Sequence, residues 1–263
     1  HEQLMRQGVG HDFLVRPGAH NAAYWSVSLP YQMLFFQRWF ARNAPQAAAP
    51  AKGLRVVFMG DSITDGNWGK ADGKPSSERN LWDRNHLYGS GYMYLCATYY
   101  QSSFPDRDYR FFNRGVGGHA LSDLAARWQE DVLDLRPDVL SVFIGTNDVE
   151  RHLRKLLRAD DPQAVPDFDF AAWEKTYRSL LDKAREANPA LEIVLCTPFA
   201  APCGKIVEGA LGAYYPLRQR MLAQCCEVVE RIAADYGATL VPFHRLIAGL
   251  ESRLPNGDAT YWV

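Results

Sequence analysis

The sequence predicts an α/β fold built on a parallel sheet with helices on both faces. Three observations carry this. Apolar runs of strand length recur at 54–59, 109–113, 138–144, 191–197 and 238–242, each rich in Val, Ile, Leu or Phe. Segments with helical periodicity lie between them, and alternation of this kind places strands side by side with crossover helices. Small or polar residues also stand where three of the runs end: Gly60-Asp61-Ser62-Ile63-Thr64, Asn113 to Gly118, and Gly145-Thr146-Asn147-Asp148. In open parallel sheets the carboxyl ends of the strands form the ligand crevice.

The elements follow in order. The stretch Asn43 to Lys52 is Ala/Pro-rich, and 43–53 reads as a semi-rigid linker. Val56-Val57-Phe58-Met59 is the first strand of the domain and leads directly to Ser62. Gly66 to Gly91 is long, polar and glycine-bearing, with Trp68, Trp82 and Tyr88 set in it. It is expected to wall the crevice, with Trp68 and Trp82 as substrate contacts; an aromatic-anchored surface loop is the plainer alternative. Leu121, Leu124, Ala125, Trp128, Val132 and Leu135 repeat at helical spacing and predict one helix closed by Pro137. Trp173, Tyr177, Leu180, Leu181 and Ala184 predict a second, ended by Asn188-Pro189. Leu217, Met221, Leu222, Cys225, Val228, Val229 and Ile232 predict a third, stopped by Gly237.

The totals remove several function classes. The formal net charge of the 263 residues is −1, which gives no electrostatic case for nucleic acid. The longest apolar stretch, Leu29 to Phe40, contains Gln32, Gln37 and Arg38 and is too short and polar to span a bilayer, so no membrane partner is expected. The five cysteines have neither disulfide-scaffold nor zinc spacing and read as mostly buried thiols. No pair of histidines has metal-ligand spacing, and neither metal nor cofactor is expected.

Serine becomes a nucleophile only when a base takes its proton, and it must be exposed; a strand-to-helix turn at Ser62 provides the exposure. A developing oxyanion needs donors aimed in advance. Gly118 can bring its N–H close because no Cβ intervenes, and Asn147 offers a side-chain amide. Singly, each residue has a structural reading: a Gly-Asp-Ser turn, a tight glycine turn, a helix N-cap at Asn147. Three such segments at successive strand ends point to a nucleophile and an oxyanion hole. Asp61 and His119 flank them as substrate-contact candidates. Gly115-Val116-Gly117-Gly118-His119-Ala120 also spells a dinucleotide fingerprint. It follows the second strand rather than the first, and Asp138 begins the next strand instead of ending it, which argues against a nucleotide site.

These segments resemble the SGNH, or GDSL-type, hydrolases over about 54–263. The blocks are Gly60-Asp61-Ser62, then Asn113-x-Gly115-x-x-Gly118, then Gly145-x-Asn147-Asp148. The resemblance implies a flavodoxin-like three-layer sheet and hydrolysis of acyl esters without metal. It makes Ser62 the nucleophile, and assigns the oxyanion hole to the N–H groups of Ser62 and Gly118 and the Asn147 amide. The last block of that family, Asp-x-x-His, does not occur between Phe243 and Val263. His244 lies at a strand end without a paired Asp and reads as a helix-start or surface residue, and His86 and His152 read as loop or surface residues. The SGNH domain is therefore expected to be truncated and to lack its catalytic Asp and His.

Residues 1–42 are similar to the C-terminal tail of esterase-D-type α/β-hydrolases. Phe13-Leu14-Val15-Arg16 reads as a strand, Pro17-Gly18-Ala19-His20 as a tight loop, and Ala23 to Phe40 as an aromatic amphipathic helix. By that similarity His20 would be the base of a different active site; an N-terminal extension with a loop histidine is the alternative. The whole chain then reads as a piece of a tandem esterase. Its expected substrate is a small acylated molecule or polysaccharide, above all acetyl groups on a plant carbohydrate. That substrate class alone suggests a secreted or periplasmic setting. A lipase or thioesterase, or a non-catalytic carbohydrate-binding module on a dead esterase fold, are the alternatives.

Overall fold

The computed structural model describes residues 52–66, 88–89, 91–202, 207 and 209–251. The chain divides into two units, His1–Ala48 and Ala49–Val263, and every described residue falls in the second. The expectations for His20, Trp68, Trp82, His86 and the segment 1–42 lie outside the described residues.

Five strands form one parallel sheet in the order β2-β1-β3-β4-β5. They are β1 (Arg55–Gly60), β2 (Arg110–Gly115), β3 (Val139–Phe143), β4 (Glu192–Cys196) and β5 (Thr239–Val241). Each falls on one of the apolar runs. Between them lie α1 (Ser62–Asp65), α2 (Tyr92–Ser103), α3 (Leu121–Ala126), α4 (Thr146–Arg158), α5 (Phe170–Ala187), α6 (Tyr215–Tyr236) and, after β5, α7 (Phe243–Glu251). This is the flavodoxin-like order, with β1 flanked by β2 and β3. The order of the chain reverses there, and a crevice opens between the carboxyl ends of β1 and β3. Gly60 lies in register with both Gly115 and Phe143, so three strands end side by side at that point.

Side chains alternate across the sheet as strand geometry requires. Val57, Met59, Leu140, Val142, Ile193 and Leu195 enter the larger core, with residues of α3, α4, α5 and α6. Phe58 and Phe111 face the other way and pack with Met93 and Ala97 of α2. On this second face Phe58, Tyr92, Phe111, Ser141, Cys196 and Phe243 help line an apolar cavity of about 320 Å³. The α6 helix ends at Gly237, which takes up the left-handed conformation at φ 60°, as the sequence predicts.

One predicted helix is different. The periodic run Leu121 to Leu135 is not a single α-helix. Regular structure stops at Ala126, Arg127 leaves helical geometry at φ −115° and ψ 13°, and Gln129–Leu133 forms a π turn. The break falls where the Arg127 guanidinium is drawn away to the strand ends. The wider turn still buries Leu121, Leu124, Trp128 and Val132, so the apolar periodicity survives without the helix.

Candidate active site

The site begins at two glycines. A Cβ on Gly60 would lie 2.2 Å from Thr64 Oγ1 and 2.6 Å from the Phe143 carbonyl oxygen. A Cβ on Gly115 would lie 2.2 Å from the Asp65 amide nitrogen. Without side chains at these positions, α1 settles directly on the ends of β1 and β2. Asp61 caps the short helix, its Oδ1 accepting from the Ile63 N–H at 3.0 Å. Ser62 is the first residue of α1. It is exposed while Asp61, Thr64 and Asp65 around it are buried.

Asn113, near the end of β2, ties this turn down. Its Nδ2 lies 3.1 Å from each of the carbonyls of Thr64, Asp65 and Tyr88, and its Oδ1 accepts from the Gly115 N–H at 3.0 Å. The following loop is fixed from the other side. Gly117 N–H donates to Asp65 Oδ2 at 3.0 Å, and a Cβ on Gly117 would stand 3.8 Å from the Ser62 Cβ. The glycine loop therefore runs directly beside the serine. Gly118 has φ +79°, a conformation that glycine adopts without strain, and it is exposed. Its carbonyl accepts from Arg151 Nη2 at 2.7 Å, and Arg151 in turn pairs with Asp123 at 2.5 Å.

Asn147 arrives on α4. The helix cap is Gly145, at φ 132°, so Asn147 sits inside the first turn and is not the cap. Its amide is free to reach sideways. Nδ2 donates to the His119 carbonyl at 3.0 Å and, more loosely, to Asp61 Oδ2 at 3.4 Å. The segments around Ser62, Gly118 and Asn147 thus meet at the switch point.

A buried carboxylate, Asp148, and a half-buried arginine, Arg127, brace the arrangement from behind. Asp148 accepts the Leu121 N–H on both carboxylate oxygens, at 3.0 and 3.2 Å, and Trp173 Nε1 at 3.0 Å. Burial raises its pKa despite these donors. Arg127 donates from Nη2 to the Gly60 carbonyl at 3.2 Å, from Nη1 to the Arg114 carbonyl at 2.7 Å, and from Nε to His119 Nδ1 at 3.2 Å. Its charge is met by Asp131 at 2.6 Å. Sequence reasoning assigned no role to Asn113, Asp65, Arg127 or Asp148. Asn113 and Asp148 stood inside the block motifs, but nothing in the sequence marks Arg127.

Burial is also the main influence on Asp61, pushing its pKa up to about 7, with the nearby carboxylates of Asp148 and Asp65 adding to the effect. Of the described histidines, none hydrogen-bonds to Ser62. The His119 ring is engaged by Arg127, and His152 packs edge-on against Phe168 at 5.9 Å. His244 Nδ1 lies 2.8 Å from Thr197 Oγ1, beyond the end of β4.

The fold and the crevice define a class: ester hydrolases that carry a serine at the switch point of a flavodoxin-like sheet. Residues 58–261 match the model of the GDSL-like Lipase/Acylhydrolase family. An acetylxylan esterase from Geobacillus stearothermophilus is 32% identical over 190 residues, which cover 72% of this chain and 75% of that protein. Among solved structures, a GDSL-like lipase from Parabacteroides merdae superimposes with a TM-score of 0.63 at 27% identity, covering 81% of this chain and 86% of the other. The acetylxylan esterase Axe2 from Geobacillus stearothermophilus gives a TM-score of 0.61 at 28% identity, covering 82% of this chain and 87% of its own. The chain belongs to the GDSL-like lipase/acylhydrolase family, and it is a carboxylic ester hydrolase.

Proposed function

We propose that this enzyme removes acetyl groups from a carbohydrate, with Ser62 as the nucleophile and an acyl-serine intermediate. The observation that carries the reading is the fixed Asn147 amide, held between the His119 carbonyl and the carboxyl of Asp61, the residue before Ser62. The similarity to an acetylxylan esterase supports the substrate class. In the first step Ser62 Oγ attacks the acetyl carbonyl while a general base takes its proton. The carbonyl oxygen becomes an oxyanion, met by the N–H groups of Ser62 and Gly118 and the Asn147 amide. Collapse breaks the ester bond and expels the sugar hydroxyl, which regains a proton. Water then attacks the acetyl-serine by the same route and releases acetate. Asp65 and Asn113 hold the serine turn and glycine loop in register, so the donors need not rearrange as charge develops.

The test uses the full-length protein and compares release of acetate from acetylated xylooligosaccharides with hydrolysis of long-chain p-nitrophenyl esters. Acetyl release should dominate, Ser62→Ala should abolish it without loss of fold, and Asn147→Ala should lower kcat on the order of 10²–10³-fold. Preference for the long-chain ester would favour the lipase reading. Undiminished acetate release by Ser62→Ala would end the covalent proposal.

A further inference from the structure

The Asn147 amide nitrogen carries two N–H bonds, and two acceptors lie around it in the resting site. One is committed to the His119 carbonyl at 3.0 Å, a fixed main-chain oxygen that sets the plane of the amide. The other meets Asp61 Oδ2 at 3.4 Å, a long and weak contact. Asp61 itself is held in place because its second oxygen caps α1 through the Ile63 N–H. Asp61 as a whole is 1% exposed. The described groups that donate to it are neutral, and the charged groups acting on it are the carboxylates of Asp148 on α4 and Asp65 on α1.

We propose that Asp61 is a positioning residue for the oxyanion donor: it holds the second N–H of Asn147 in the resting site and yields it to the substrate oxygen as negative charge develops there. This rests on the reading of Asn147 as an oxyanion donor. An oxyanion competes for that N–H on favourable terms against a neutral carboxyl. Against an ionised carboxylate it faces both a stronger hydrogen bond and like-charge repulsion in a buried setting. The handover therefore works with Asp61 protonated and is opposed once it ionises. Burial and the two neighbouring carboxylates keep the proton on Asp61 to about pH 7, far above the ordinary range for aspartate.

The role separates from simple helix capping by its pH dependence. Asp61→Asn keeps a capping oxygen for Ile63 and cannot ionise; Asp61→Ser also caps, and lacks the second oxygen facing Asn147. Two readouts are compared between variant and wild type of the full-length protein from pH 6 to 9: kcat on p-nitrophenyl acetate, and affinity for phenylboronic acid, whose tetrahedral boronate adduct on a serine oxygen is an anion with a hydroxyl oxygen where the oxyanion would stand. The ratio of Asp61→Asn to wild type should climb about tenfold over this range in both, and Asp61→Ser should show the same climb. In an Asn147→Ala background the climb should disappear, because the donor through which Asp61 acts is gone. Ratios that stay flat with pH, or a climb that persists without Asn147, would overturn the inference. Failure of the underlying reading looks different: Ser62→Ala would then retain activity and boronate affinity, whatever the Asp61 variants do.

Discussion

The Asn113 amide donates to the Asp65 carbonyl at 3.1 Å, joining residues 48 positions apart in the chain. The same nitrogen meets the carbonyls of Thr64 and Tyr88, and the amide oxygen takes the Gly115 N–H. One buried side chain thus satisfies main-chain groups of the serine turn, of Tyr88 and of β2. Asn113→Ala strands several buried groups together and should cost about 3 kcal/mol in urea denaturation. Asn113→Asp should not rescue it, because an ionised carboxylate cannot donate to carbonyls. A loss under 1 kcal/mol in Asn113→Ala would show that water replaces the amide.

Gly115, the last residue of β2, and Gly118, in the loop that follows, should respond differently to a methyl group. At Gly118 a Cβ meets nothing within 4 Å, and only the φ of +79° opposes it. Gly118→Ala should lose about 1–2 kcal/mol of stability. At Gly115 the Cβ would run into the Asp65 nitrogen at 2.2 Å, which is main chain and cannot swing aside. Gly115→Ala must displace α1, and Ser62 with it. Its esterase rate should fall further than that of Gly118→Ala when both are measured on one acetyl substrate. The reverse order would mean that α1 moves without consequence.

Arg127 joins the carbonyls that end β1 and β2 to the ring of His119, and Asp131 balances its charge while only 1% of that side chain is exposed. Removing the guanidinium takes one ion pair from the buried carboxylate, which also meets Arg114 at 3.2 Å. Arg127→Ala should destabilise the fold by about 3 kcal/mol. Arg127→Lys should recover little, because a single ammonium cannot reproduce a planar fork spread over several acceptors. Thermal denaturation of the two variants side by side checks this, and full recovery by lysine would reduce the role of Arg127 to its charge.

The strands were legible because each is a short apolar run whose alternate residues enter both cores, as Val57 and Phe58 do. The helix ends at Gly237 and near Asn188 were legible because a left-handed glycine and a proline leave few alternatives. The break at Arg127 was not, because its cause is long-range: the apolar period continues to Leu135, and only the folded protein brings Gly60 and Arg114 within reach of the guanidinium. The candidate site shows the same division. Ser62, Gly118 and Asn147 stand out locally, each by residue type at a strand end. Asp65 and Asn113 act through groups about fifty positions away, and no local pattern announces such a partner. Asp61 was noted only as a possible substrate contact, since its burial among carboxylates depends on Asp148 arriving from α4.

That burial makes stability depend on pH. Unfolded, Asp61 ionises near the ordinary value of 3.8; folded, its pKa is raised to about 7. Between these values the native state binds more proton than the unfolded chain, so stability falls as pH rises. The contribution is fully present below about pH 4 and is lost by the time pH passes about 7. Each pH unit between the two values corresponds to about 1.4 kcal/mol, so the loss is on the order of 4 kcal/mol. Asp148, also raised by burial, acts in the same direction. Asp61→Asn cannot ionise and should escape its part of the loss. Urea denaturation at pH 4.5 and pH 8 should show the variant gaining on wild type at the higher pH. A difference between the two proteins that stays constant with pH would mean that the Asp61 carboxyl titrates as it does in the unfolded chain, and that its burial is relieved when it ionises.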